Sequence, residues 1–311
     1  MEKILLTGAT GFIGSELLPK LIQEGYEVHT LERYVTGRYS VDIENVHYAN
    51  MQDKNAVYEI VKSVKPDYVI HLAAISAVSF SYDNYNEVSD VNYIGSANLA
   101  EACRKLCNLK AFITAGTSEM YGMTLNDRNK KLDEQSPLMP NSPYAVAKAA
   151  FGSYLKYMNM AYGFPYIELR PFNTYMRKAN THFFIERTIT QMLKGKEVIL
   201  GNRTAVRDWL YVDDHVDGYL KALRSPKAIG ESVNLCTGIG YRTEETANII
   251  AKMTDFNGEI RWNESEHRPL DAKMLIGDNS KAKKLLGWTP RYSLNEGLKK
   301  DIEYWREGGR L

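Results

Sequence analysis

Thr7-Gly8-Ala9-Thr10-Gly11-Phe12-Ile13-Gly14 is a glycine-rich turn between two readable elements. Ahead of it, Lys3-Ile4-Leu5-Leu6 is a short apolar run that reads as a buried strand. Behind it, the leucine spacing over residues 15–22 predicts a helix. A strand, a tight turn and a helix N-terminus make an anion site, because free backbone N–H groups and the positive helix end point the same way. Gly8, Gly11 and Gly14 leave room for a diphosphate to come close, in a G-x-x-G-x-x-G variant of the dinucleotide fingerprint. Gly8, Gly11, Phe12, Ile13 and Gly14 are therefore candidate cofactor contacts. An ordinary glycine-rich strand–helix turn would look the same, so the remaining chain has to decide.

Strand-like and helix-like stretches alternate from there. Residues 27–31 read as a second strand that ends at Glu32. In a dinucleotide fold an acidic residue at that place bonds the adenosine ribose and repels a 2′-phosphate, which favours NAD. Arg33 and Arg38 follow and could instead meet the phosphate of NADP, so both cofactors stay open. Residues 45–49 read as a third strand with Asp53 just beyond it, and 56–64 as an amphipathic helix closed by Lys65-Pro66. Residues 67–72 form a fourth strand, and the small Ala73 and Ala74 would let the sheet end approach a cofactor. Simple helix–sheet packing explains Ala74 equally well.

Residues 88–106 predict one long helix and 110–114 a fifth strand, continued by Gly116-Thr117-Ser118-Glu119. Strands with intervening helices imply a parallel, doubly wound α/β sheet. Ligands of such sheets lie outside the carboxyl ends of the strands, which is where Thr117, Ser118 and Glu119 fall. A polar loop at 126–142 leads to a helix from Pro143 to about Tyr162, on which Tyr144 and Lys148 share a face. Residues 166–170 read as a sixth strand. Beyond it the alternation weakens. Helices are expected at 183–193, 243–253, 280–286 and 294–305, with another after 206–214. Residues 198–200 look extended, and 233–235 return to the main sheet. The expected architecture is a doubly wound parallel (Rossmann) sheet over residues 1–172. A smaller C-terminal substrate-binding cap covers 173–311, interleaved with elements around 201–240 that rejoin the first domain.

A chain of 311 residues that is 44% hydrophobic and 25% charged can bury a large core and reads as soluble. Its net charge of +1 gives no electrostatic case for nucleic acid or a membrane surface. No apolar run approaches the ~20 residues of a membrane span, and the first residues enter a strand rather than a signal peptide. Cys103, Cys107 and Cys236 lack the second pair a zinc site needs. They read as reduced packing residues in a cytoplasmic protein, with no metal.

A tyrosine with a lysine one turn away has a specific use. The ammonium favours the phenolate and lowers the tyrosine pKa from ~10 toward neutrality. Such a phenolate can take a hydroxyl proton while hydride leaves the same carbon for a nicotinamide. The pair arises by chance in many helices. It gains weight from the glycine turn upstream and from Thr117 at the preceding strand end.

Taken together, the turn at 7–14, Leu72-Ala73-Ala74, Tyr144-x-x-x-Lys148 and Arg170-Pro171-Phe172-Asn173 resemble the extended short-chain dehydrogenase/reductase family acting on nucleotide-diphosphate sugars. The likeness runs nearly end to end, and Ser280-Lys281-Ala282 with Leu286-Gly287-Trp288 and Pro290 fits its C-terminal pattern. The resemblance implies a catalytic triad of Thr117, Tyr144 and Lys148, with Lys148 also holding the nicotinamide ribose. It implies that Asn50, Met51, Leu72 and Asn92 meet the cofactor, NAD or alternatively NADP. It implies substrate contacts at Ser76, Asn173, Arg207 and Arg268, the two arginines on the diphosphate, a task that suits a guanidinium. Two departures stand out: Asn50 replaces a common aspartate, and Tyr175-Met176-Arg177 lacks the Gly-Pro that many relatives carry after the asparagine.

Glu119 narrows the reaction. Thr117-Ser118-Glu119-Met120-Tyr121-Gly122 resembles the segment of GDP-mannose 4,6-dehydratases. The dTDP-glucose enzymes carry Thr-Asp-Glu there, and 4-epimerases usually lack the glutamate. A 4,6-dehydratase must remove the C5 proton of a 4-keto sugar and expel the C6 hydroxyl. Glu119 suits both the base and the acid, because the neighbouring Ser118 is a poor proton donor. The expectation is therefore a nucleotide-diphosphate-sugar 4,6-dehydratase, with a 4-epimerase as the alternative. UDP-glucuronate decarboxylases and some 4-keto reductases also carry a Ser-Glu pair here, which leaves a decarboxylase or a 4-keto reductase as lesser alternatives. Tyr154 and Tyr157 read as outward aromatics, and in this family the helices at 88–106 and 143–162 pair across a two-fold axis, which implies a homodimer.

Overall fold

Side-chain alternation in β1 (Lys3–Thr7) sends Ile4 and Leu6 to one face of the central sheet and Leu5 to the other, all fully buried. The computed structural model describes residues 1–33, 44–125, 130–178, 180–195, 197–263 and 269–309. Arg38, Arg268 and part of the loop at 126–142 lie outside them.

The chain then runs through α1 (Phe12–Gln23), β2 (Glu27–Glu32), β3 (Val46–Tyr48), α2 (Lys54–Val64) and β4 (Tyr68–His71). Asp53 caps α2, accepting from the backbone N–H of Asn55 and Ala56. Next come α3 (Val78–Asp83), α4 (Tyr85–Ser89), α5 (Ser96–Leu106) and β5 (Ala111–Ala115). Residues 90–95 join α4 to α5 as a π turn, so the expected single helix at 88–106 begins earlier and contains a local widening. Apolar spacing cannot distinguish a π turn from an α turn, because one inserted residue leaves the pattern on either side intact.

After β5 stand α6 (Pro143–Tyr162), β6 (Tyr166–Pro171), β7 (Asn173–Tyr175), α7 (Phe184–Lys194), β8 (Glu197–Leu200), β9 (Val206–Tyr211) and α8 (Val212–Leu223). The last elements are β10 (Glu231–Leu235), β11 (Gly240–Arg242), α9 (Thr243–Thr254), β12 (Glu259–Trp262), β13 (Met274–Leu275), α10 (Ser280–Leu286) and α11 (Leu294–Arg306). The main sheet has seven parallel strands in the order β10-β6-β5-β4-β1-β2-β3. The order reverses between β1 and β4, which is where a doubly wound sheet opens its ligand crevice. β7, β9, β11 and β13 make a second small sheet, and β8 pairs with β12.

One core face holds α1 and α8, the other α2, α5 and α6. Tyr154 on α6 is half-buried, donating to Glu101 at 2.7 Å, whereas Tyr157 is exposed as expected. The three cysteines are free thiols. Among the described residues no helix is long and apolar enough to cross a membrane, and no cluster of three acidic, cysteine or histidine side chains could hold a metal.

Candidate active site

The glycine turn is built so that α1 can start against it. Gly8 has a φ of +74°, and a Cβ on Gly14 would sit 2.1 Å from the Gly8 carbonyl oxygen. Neither position admits a side chain without moving the backbone. Gly11, the residue before α1, offers no side chain to cap the helix. The first N–H groups of α1 are therefore left for an external acceptor, as an anion site requires.

A cleft of about 350 Å³ opens beside this turn. Of the predicted cofactor contacts, Gly8, Gly11, Glu32, Arg33, Asn50, Met51, Leu72, Ala73 and Ala74 line it. Glu32 is buried; its two oxygens accept from the Ala9 N–H at 2.8 Å and the Thr10 hydroxyl at 2.7 Å. Burial raises its pKa, and those hydrogen bonds oppose the rise. Arg33 is exposed and lies 3.8 Å from Glu87. Asn92 does not line the cleft. It is fully buried in the π turn, its amide accepting from the Ile75 N–H at 2.8 Å and donating to the Ile75 carbonyl at 2.9 Å. It braces the wall at 72–75 from behind. A second groove, between α9 and α11, contains none of the candidate residues.

A buried chain of hydrogen bonds ties that wall to β1. Ser96 gives its proton to the Asn92 carbonyl at 2.9 Å, so the His71 Nε2–H must donate to Ser96 at 2.8 Å. His71 Nδ1 then accepts from Thr7 at 2.7 Å, and Thr7 accepts from the Ala73 N–H at 3.1 Å. Burial holds the His71 imidazole neutral, its pKa pulled down to about 3. Sequence reading gave His71 no role. The signal was there in a polar residue inside an apolar strand.

At the reacting edge, Thr117 accepts from the Glu119 N–H at 3.2 Å and starts a one-turn 3₁₀ helix over Ser118–Met120. Thr117, Ser118 and Glu119 are all buried, so Glu119 is no solvated strand-end carboxylate. Ser142 and Pro143 start α6 in front of them, with Ser142 accepting from the Ala145 N–H at 3.2 Å. That start places Tyr144 against Thr117, whose hydrogen bond favours the phenolate. The expected depression of the tyrosine pKa is not found. Burial pushes it up to about 12, the Glu119 charge adds to the rise, and the Arg177 guanidinium opposes it. Lys148 is turned away to donate to the Ala115 carbonyl at 2.9 Å, and burial lowers its own pKa to about 8. Desolvation outweighs pairing for both groups.

Of the predicted substrate contacts, Asn173 has a buried Oδ1 with no hydrogen-bond partner among the described residues, an acceptor an external donor could use. Ser76 is exposed on the loop after β4. Arg207 is 7% exposed and internally engaged: it donates to the carbonyls of Val206 and Ala272 and pairs with Asp271 at 2.9 Å. Those bonds use three of the five N–H groups of a guanidinium, leaving fewer for a diphosphate than the sequence implied.

The family described as GDP-mannose 4,6 dehydratase matches residues 5–301. A GDP-mannose 4,6-dehydratase of Vibrio cholerae is 30% identical, covering 95% of this chain and 91% of its own length. A UDP-glucose 4-epimerase of Thermotoga maritima, solved with UDP-glucose, has a TM-score of 0.90 at 32% identity, covering 99% of this chain and 100% of that one. A UDP-glucose 4-epimerase of Thermus thermophilus, solved with NAD, has a TM-score of 0.89 at 28% identity, covering 98% of this chain and 99% of that one. With the sheet order, the glycine turn and a match over almost its whole length, the chain belongs to the GDP-mannose 4,6-dehydratase family, in which nucleotide-sugar dehydratases and epimerases stand together.

Proposed function

We propose that this chain is a nucleotide-diphosphate-sugar 4,6-dehydratase, a lyase that keeps NAD bound. The observation that carries this reading is the buried carboxyl group of Glu119, near enough to Tyr144 for its charge to act on the phenol. The turn at 7–14 would hold the cofactor diphosphate, Glu32 the adenosine ribose and Lys148 the nicotinamide ribose. NAD, when bound, supplies a hydride acceptor for C4 and a hydride donor for C6.

The chain's own groups handle the protons. Thr117 and Tyr144 bind the C4 hydroxyl, and the Tyr144 phenolate takes its proton as the ketone forms. Glu119 removes the C5 proton, which the C4 ketone acidifies, and returns a proton to the departing C6 oxygen, so that water leaves; once C6 has its hydride back, C5 takes a proton that Glu119 relays from solvent. Ser118, beside it, orients that hydroxyl. Asn173 and Arg207 contact the sugar and its diphosphate. A buried site keeps water from the reactive ketone. We read the working unit as a cytoplasmic homodimer.

A 4-epimerase is the second reading, favoured by the backbone likeness to the Thermotoga maritima enzyme. An epimerase needs only ketone formation, rotation of the ring and hydride return, and has no use for a base at C5. Incubation with UDP-, GDP-, dTDP- and CDP-hexoses in D₂O, followed by NMR, separates the two. The dehydratase gives a C6 methyl signal, with deuterium incorporated at C5. A C4 epimer without that signal would replace the reading. Tyr144→Phe should lower turnover by roughly 10²–10⁴-fold. Glu119→Gln should stop C5 exchange while leaving C4 oxidation intact.

A further inference from the structure

The turn that carries Thr117, Ser118 and Glu119 is held at both ends by one buried group of side chains. At its start, Gly116 rests on β6: its N–H donates to the Leu169 carbonyl at 2.7 Å. A Cβ there would meet Arg170 Cγ at 3.0 Å and Glu168 Cγ at 3.1 Å. At its end, Tyr121 is fully buried, and its hydroxyl accepts from Arg170 Nη1 at 3.1 Å. The phenol has one proton to give, and Asn234 Oδ1 takes it at 2.7 Å. Between the two ends, the Met120 N–H donates to the Thr117 carbonyl at 3.3 Å and the Tyr121 N–H to the Ser118 carbonyl at 3.0 Å.

Neither partner of Tyr121 can follow it if it moves. The Arg170 Nε–H donates to Glu168 at 2.8 Å and its Nη2 to Ser232 at 3.2 Å, while Ser232 gives its proton to the same Glu168 oxygen at 2.7 Å. Asn234 Nδ2 donates to the Leu132 carbonyl at 3.0 Å, and the Asn234 N–H donates to Glu134 at 2.7 Å. That use of Nδ2 turns Oδ1 to the phenol. Burial raises the Tyr121 pKa, so the hydroxyl keeps the proton it donates. Glu168, Arg170, Tyr121 and Asn234 are all buried, and the proposed reaction uses none of them. A buried polar chain rigidifies its surroundings only when every member is satisfied, as here. What it supplies is a fixed place for the residues it holds.

We propose that Tyr121 is a positioning residue for Glu119: the Arg170–Tyr121–Asn234 chain fixes the far end of the turn and so sets where the Glu119 carboxyl stands in the site. This rests on the reading of Glu119 as the base at C5. No bond is made or broken at Tyr121. Thr117 and Glu119 depend on the chain unequally. Thr117 follows directly on Gly116, which β6 holds through the backbone. Glu119 lies midway between Thr117 and Tyr121, with its N–H on the Thr117 hydroxyl at 3.2 Å. Loss of the Tyr121 oxygen therefore displaces Glu119 before it displaces Thr117, and the elimination suffers before the oxidation does.

The test compares the full-length chain with Tyr121→Phe and Asn234→Ala. Amide hydrogen exchange read by mass spectrometry needs no substrate. The peptide over residues 117–122 should exchange at least ~10-fold faster in both variants, with the peptide over 7–14 unchanged. The same UDP-, GDP-, dTDP- and CDP-hexoses are then supplied in D₂O. With the hexose whose C5 the wild type exchanges, Tyr121→Phe should slow that exchange roughly 10²-fold, with single-turnover C4 oxidation at 340 nm held within about threefold. Equal loss of oxidation and C5 exchange would make Tyr121 a general support of the fold and overturn the proposal. Full C5 exchange in a folded Tyr121→Phe chain would overturn it too. Should Tyr121→Phe not fold, Asn234→Ala carries the same comparison, since it leaves the ring and the arginine in place. A wild type that epimerises C4 without C5 exchange would refute the proposed reaction, and this role with it. The two failures differ in the wild type, which exchanges C5 in the first and not in the second.

Discussion

The ammonium of Lys148 is enclosed by protein and holds one hydrogen bond among the described residues, to the Ala115 carbonyl. Its pKa is about 8 in the fold against 10.5 in an unfolded chain, with burial the larger cause and Glu168 partly opposing it. Between those values the unfolded chain binds more protons than the folded one, so stability rises with pH across that window. At pH 7 both states carry the charge, and the fold bears its full desolvation cost, about 3 kcal/mol. Lys148→Met should therefore gain about 2 kcal/mol in urea unfolding at pH 7, after allowing ~1 kcal/mol for the unpaired Ala115 carbonyl. It should also lose the pH dependence above pH 8 and most of the turnover. A variant that is less stable at pH 7 would show that Lys148 is a structural tie and not a group kept at a cost. Sequence could place Tyr144 and Lys148 on one face, since helical spacing sets that. It could not show where the ammonium points, because its acceptor, Ala115, belongs to another element.

Elements were most legible where local chemistry marks their ends. Ser142-Pro143 and Gly163, with a φ of +67°, bracket α6, and the expected limits match the observed ones. The short strands β7, β11 and β13 were not legible, because two or three residues carry no period and their pairing comes from β9. The π turn escaped for the same kind of reason, and it has a consequence. Its Asn92 pairs with both backbone groups of Ile75, which lines the cleft. Asn92→Leu removes both partners and should cost about 2 kcal/mol or more in thermal or urea unfolding. The wall at 72–75 should then loosen, weakening NAD at least ~10-fold by calorimetric titration. Unchanged affinity in a folded Asn92→Leu chain would show that β4 and the glycine turn alone hold that wall.

The sequence order and the spatial order of the chain diverge most at the edge of the main sheet. β6 is flanked by β5 on one side and by β10, some sixty residues later, on the other. The face of β6 that carries Ile167 and Leu169 joins Val216, Tyr219 and Ala222 of α8 in one core, which also takes in Ile4, Leu17 and Trp288. Trp288 is fully buried, and its indole N–H donates to the Asp214 carbonyl at the start of α8 at 2.9 Å. A cofactor half ending at residue 172 would thus expose an unpaired strand edge and a large apolar face. We predict that residues 1–172 expressed alone do not melt cooperatively and do not bind NAD, although they contain the glycine turn, Glu32, Tyr144 and Lys148. The intact chain should unfold in one transition, with tryptophan fluorescence and far-UV circular dichroism coinciding. Two separated transitions, or a fragment with a dispersed NMR spectrum, would mean that α8 and β10 cover a half that stands by itself. The expected result means that the later residues complete the dinucleotide site's scaffold as well as covering it.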